Sequence, residues 1–83
     1  MSSLNKLLSD LIRFPDRAFE CARVGQKVII RYVGQTYAAT PEVAETIASI
    51  LLEEAEEHSD HPLSTWFVVA AQKIIAECQK SLH

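Results

Sequence analysis

Glycine is almost missing from this sequence. The 83-residue chain has two, Gly25 and Gly34, and both fall in the stretch "RVGQKVIIRYVGQTYAAT", Arg23 to Thr40. That scarcity argues against a phosphate-cradling loop, which needs more glycines and a helix directly after them. Cysteine is equally sparse. Cys21 and Cys78 lie far apart with no Cys-x-x-Cys pair, so both read as small apolar fillers in a reducing compartment, ahead of a disulfide or a reactive thiol. No apolar run approaches the roughly 18 residues that span a bilayer. The opening "MSSLNKLLSDLIRFPDRAF" is interrupted by Asp10, Arg13 and Asp16, which rules out the apolar core of a signal peptide. A cytoplasmic location with no membrane contact is therefore expected. Excess positive charge is missing too: the net charge of −3 gives no general attraction to nucleic acid.

What is present is ordinary for a folded chain. Hydrophobic residues make up 48% and charged residues 23%, and the length suits one domain over residues 1–83. Charge is divided between the halves. Residues 1–40 hold six Lys/Arg against three Asp/Glu, and residues 41–83 hold two against eight. Two solvated faces that attract each other weakly explain this more simply than a charged docking surface does.

The expected fold class is α+β: two N-terminal helices, the second short, then a two-stranded antiparallel hairpin, then two longer helices. Ser3 caps a first helix with Leu4, Leu7, Leu8, Leu11 and Ile12 at helical spacing, and Phe14-Pro15 stops it. Pro15 then opens a short helix, "DRAFECAR", with Ala18, Phe19 and Ala22 inward and Gly25 as its terminator. "KVIIRYV" and "TYAAT" form the hairpin, with Gly34-Gln35 as a type II′ loop. Alternation places Val28, Ile30, Tyr32, Tyr37 and Ala39 on a covered face. Lys27, Ile29, Arg31, Val33, Thr36, Ala38 and Thr40 take a mixed one. Thr40 and Pro41 begin the third helix, and the fourth starts near Pro62 with Ser59 or Asp60 as its cap.

The two long helices point outward. Val43, Ala44, Ile47, Ala48, Ile50, Leu51, Leu52 and Ala55 cover an arc of about 200°, where a one-sided helix needs little more than 100°. In the last helix a main stripe runs from Leu63 to Leu82, and Trp66 and Val69 fall outside it beside Lys73. Trp66 is either covered by the first helix or offered to a partner. Two strands alone also leave two open edges, one of which a second copy would close by forming a four-stranded sheet. These features together favour a homodimer.

Three sites are weighed. "LLEEAEEHSDHPL" holds Glu54, His58, Asp60 and His61, residue types that bind zinc, although a helix end with a capping residue is the simpler reading. Arg13, Arg17, Arg23, Lys27 and Arg31, with Tyr32 or Tyr37 to stack a base, make a weaker case for nucleic acid than salt bridges and a cross-strand tyrosine pair do. No nucleophile, base and orienting acid group at suggestive spacing, so neither catalysis nor a cofactor is expected. The preferred reading is a small cytoplasmic protein-binding module, an adaptor, inhibitor or assembly subunit, acting on itself and on another protein. Its expected contact residues are Trp66, Val69 and Lys73, joined by Ile29, Arg31 and Val33 on the mixed hairpin face.

Overall fold

The computed structural model describes residues 3–14 and 16–80. Helix α1 (Ser3–Arg13) is followed by strands β1 (Phe19–Val24), β2 (Lys27–Tyr32) and β3 (Gln35–Ala39), then by helices α2 (Pro41–Glu57) and α3 (Ser64–Cys78). The α+β class and the single domain stand. The arrangement expected within it does not: one helix precedes the sheet rather than two, and the sheet is a three-stranded antiparallel meander in the order β1-β2-β3 rather than a two-stranded hairpin. Pro15 and Leu82 lie outside the described residues, as do the side chains of Ser3 and Leu4.

The segment read as a short helix is β1. Its burial alternates: Phe19, Cys21 and Arg23 turn toward the helices, while Glu20, Ala22 and Val24 are exposed. Every residue pairs with β2, from Phe19 opposite Tyr32 to Val24 opposite Lys27. That ladder satisfies the backbone along the whole segment, and such tertiary pairing outweighs the weak helical preference of Ala18, Phe19 and Ala22.

Both glycines are therefore hairpin tips. Gly25, with φ of 61°, leads the two-residue loop Gly25-Gln26, in keeping with a type II′ turn. The second loop is Val33-Gly34, not Gly34-Gln35, because Tyr32 pairs with Gln35. Val33 and Gly34 have φ of 53° and 73°, positive at both positions as a type I′ turn requires. A β-branched residue is strained there. The register differs by two residues from the one that a Gly34-Gln35 loop implies, Ile30 facing Tyr37 rather than Ala39. This shift preserves parity. Val28, Ile30, Tyr32, Tyr37 and Ala39 all lie on the buried face.

All three helices cover that face. Leu7 and Leu11 of α1 join the strand residues, Ala44, Ile47, Ala48, Leu51 and Ala55 of α2, and Phe67, Ala70, Ala71 and Ile74 of α3 in one core. The alanines let α2 and α3 approach closely, and these helices make the most extensive contact between elements. α3 also lies along β1, and α1 packs against β3. α2 is less enclosed than its wide apolar arc suggests, since Val43 remains 38% exposed.

Thr40 caps α2 as expected, its hydroxyl accepting the Val43 N–H at 3.3 Å, with Pro41 in the first turn. The cap expected for α3 is absent. Leu63 occupies the N-cap position without a side-chain bond, and neither Ser59 nor Asp60 reaches it. The connection is held instead by backbone bonds from His61 to His58 and from Ser64 to His61. His61 Nδ1 also accepts the Leu63 N–H at 3.1 Å.

Candidate interaction surface

The sheet has one covered face and one bare one. On the bare face the pairing lines up two rows across all three strands, Glu20-Arg31-Thr36 and Ala22-Ile29-Ala38, with Val24-Lys27 beyond them. Among the described residues no helix packs over these rows, and only Ile29 is even half-buried. Next to the charged row, a shallow cleft of 260 Å³ is lined by Arg17, Ala18, Glu20, Arg31, Tyr32, Val33 and Gly34. Among the described residues no carboxylate lies within ion-pair distance of Arg17 or Arg31.

The two edges of the sheet differ. In an antiparallel ladder, alternate residues of an edge strand direct their N–H and C=O outward. In β1 these are Phe19, Cys21 and Arg23, and α3 engages two of them. The Glu77 carboxylate accepts the Arg23 N–H at 2.7 Å, and Lys73 Nζ donates to the Phe19 carbonyl at 3.4 Å. The Arg23 guanidinium donates back to the Gly25 carbonyl at 2.8 Å and the Cys78 carbonyl at 3.1 Å. Lys80 Nζ stands 2.9 Å from Glu77. The Lys80 hydrogen bond, then the Arg23 N–H, hold the Glu77 carboxyl below the usual glutamate range. Cys21 lies between these contacts, its thiol pushed up to about 11 by burial first and by the nearby Glu77 charge second.

On β3 the outward groups belong to Thr36 and Ala38. Both residues are exposed, and no described residue hydrogen-bonds to their outward N–H or C=O groups. Gln35–Ala39 contains no charge and no proline.

The expected contact residues form two separate groups. Trp66 is half-buried, its ring 5.3 Å from Phe67 of its own helix and 5.9 Å and 6.3 Å from Tyr32 and Phe19 of the sheet. Val69 is 43% exposed, and Lys73 is exposed but reaches the β1 edge. Ile29 and Arg31 project from the opposite face of the sheet, beside Val33 in the β2–β3 loop. The sheet stands between the two groups.

The metal candidates are partly assembled. Glu54, Glu57 and His58 bring ligand atoms within 4.8 Å of one another on the last turns of α2, with His58 Nε2 3.8 Å from Glu54. Asp60 and His61 fall outside that group, and Glu57, which the sequence reading passed over, enters it. The residues named for nucleic acid are less available than their spacing suggests. Tyr32 and Tyr37 are buried, and the Arg23 side chain is bound to carbonyls of α3.

Sequence reasoning also missed Glu77 and the pair Thr36 and Ala38. Nothing in the local sequence marks Glu77, whose partner lies 54 residues away. The uncharged run "QTYAAT" did carry a signal, since edge strands ordinarily hold a charge or a proline. Comparison with protein-family models, with curated proteins and with solved structures finds no match for this chain.

Proposed function

We propose that the protein acts by binding another protein chain on the bare face of its sheet. One observation carries this reading: an apolar row, Ala22-Ile29-Ala38, lies open beside a charged row from which Arg31, with neighbouring Arg17, faces solvent without a counter-ion among the described residues. Small apolar area bordered by two guanidinium groups that form no ion pair among the described residues, with Glu20 the one carboxylate lining their cleft, suits an acidic segment with a hydrophobic residue at its centre. Neither cysteine supplies a thiolate near neutral pH, because burial raises both thiols, and this favours binding over thiol chemistry. The proposed setting is the cytoplasm, where both cysteines stay reduced. Buried tyrosines and an engaged Arg23 weigh against the nucleic-acid reading.

The test is a titration of the protein with an acidic peptide, alternating Glu with Leu, followed by amide NMR shifts. Shifts centred on Ala22, Ile29, Arg31 and Ala38 are expected, and Arg31→Glu should weaken binding at least tenfold, about 1.4 kcal/mol. Shifts confined to the helices, or affinity unchanged by Arg31→Glu, would overturn the reading.

A further inference from the structure

We infer that β3 is a pairing edge and that a second copy of this chain occupies it, antiparallel, to form a continuous sheet of six strands. This pairing uses the outward backbone groups of the β3 edge, whereas the peptide reading uses the bare face to which the Thr36 and Ala38 side chains belong. Edge strands offer a row of free amides and carbonyls to any extended chain, and folded proteins normally block that row. Here one edge is blocked and the other is not. Glu77 and Lys73 engage the outward groups of Arg23 and Phe19 on β1. The outward groups of Thr36 and Ala38 on β3 meet nothing among the described residues, and both residues are exposed.

The occupant follows from the composition and symmetry of the edge. A two-fold axis beside Tyr37 sets Thr36 of one copy opposite Ala38 of the other, so each exchanges both backbone bonds with its counterpart. Thr36 and Ala38 are short, and Tyr37, which meets its own counterpart on the covered side, is uncharged like them, so the strands close without like charges meeting. With β1 blocked, each copy has a single free edge, so pairing ends at two copies instead of growing into a fibre. A foreign strand satisfies the same amides but is not needed to fill the row, because an antiparallel edge free of charge and proline pairs with its own copy. The interface is small, which places dissociation on the order of micromolar.

Sedimentation velocity over rising concentration, with hydrogen exchange on the same samples, tests this. The 9.3 kDa chain should approach twice that mass, and the Thr36 and Ala38 amides should gain protection in parallel. Thr36→Lys, which leaves the fold's core untouched, should raise the dissociation constant at least tenfold. Ala38→Pro, which removes an outward N–H, should do the same, while Ala22→Lys on the bare face should not. A mass fixed at 9.3 kDa at every concentration overturns the inference, as does a dimer unaffected by Thr36→Lys. The two readings give different outcomes: Arg31→Glu should weaken peptide binding at least tenfold without changing the mass, and Thr36→Lys should lower the mass while the acidic peptide binds no more weakly, because the new charge joins Arg31 on the bare face.

Discussion

The two edge strands of one small sheet are treated in opposite ways. On β1 the Arg23 amide, the Arg23 guanidinium and the Phe19 carbonyl all find partners, most of them on α3. On β3 demands go unmet among the described residues: Thr36 and Ala38 keep free backbone groups, the Tyr37 hydroxyl is buried without a partner, and Val33 in the preceding loop holds a left-handed φ of 53°. A fold that closes one edge with several contacts and leaves the other open has a preferred direction of association. The lesson concerns cost: unpaired groups and strain persist only where the rest of the fold holds them in place, and they concentrate where binding occurs.

The largest change should come from opening the closed edge. Glu77→Ala strips the Arg23 N–H of a charged acceptor, a loss of about 2 kcal/mol. For a domain of this size the melting temperature should fall by roughly 10 °C. β1 then offers a second pairing edge, so light scattering should detect species larger than a dimer at high concentration. Acid should reproduce part of this effect. The folded-state pKa of Glu77 is depressed, so its contribution is full above the ordinary value of 4.5 and is lost as pH falls through the lower folded value. If Glu77→Ala leaves both melting and mass unchanged, the closed edge does not depend on this lock.

The contrast between edges was only partly legible in the sequence. Helices α2 and α3 were readable because Thr40, Pro41 and the apolar spacing agree with one another, and the buried strand face was readable because a parity-preserving register shift keeps Ile30, Tyr32 and Tyr37 together. β1 was not. Its inward positions are Phe19, Cys21 and Arg23, and a charged residue on the covered face breaks the apolar alternation that marks a strand. Arg23 is tolerated there because its guanidinium reaches carbonyls at the end of α3, a contact between residues 55 apart. The triplet Val-Gly-Gln occurs at 24–26 and again at 33–35, and each copy supplies a hairpin turn. The two use different loop residues, Gly25-Gln26 and Val33-Gly34. The bare face was visible as a mixed pattern. Which edge is open depends on Glu77 and Lys73, and local spacing says nothing about them.

A second measurement sharpens the comparison at the turns. Val33 is half-exposed and buries little, so its conformational strain dominates its contribution. Asn adopts the left-handed region far more readily, and Asn-Gly is the preferred type I′ pair. Val33→Asn should therefore stabilise the fold by about 1 kcal/mol, seen as a higher denaturation midpoint with an unchanged slope. A loss of stability would show that Val33 packs against something its exposure does not reveal.

The smallest expected effect compares the two buried tyrosines. The Tyr32 hydroxyl donates to the Phe14 carbonyl, tying β2 to the end of α1. The Tyr37 hydroxyl, on the open-edge strand, has no partner among the described residues. Deleting a satisfied hydroxyl costs about 1 kcal/mol, whereas deleting an orphaned one removes a desolvation penalty. Tyr32→Phe should lower stability by about 1 kcal/mol, and Tyr37→Phe should leave it unchanged or raise it by about 0.5 kcal/mol. The same oxygen is removed in each case, so the opposite sign isolates the hydrogen bond from the ring's packing. Equal losses at both positions would mean that the Tyr37 hydroxyl is satisfied in solution, and β3 would then be no poorer in partners inside the core than β2.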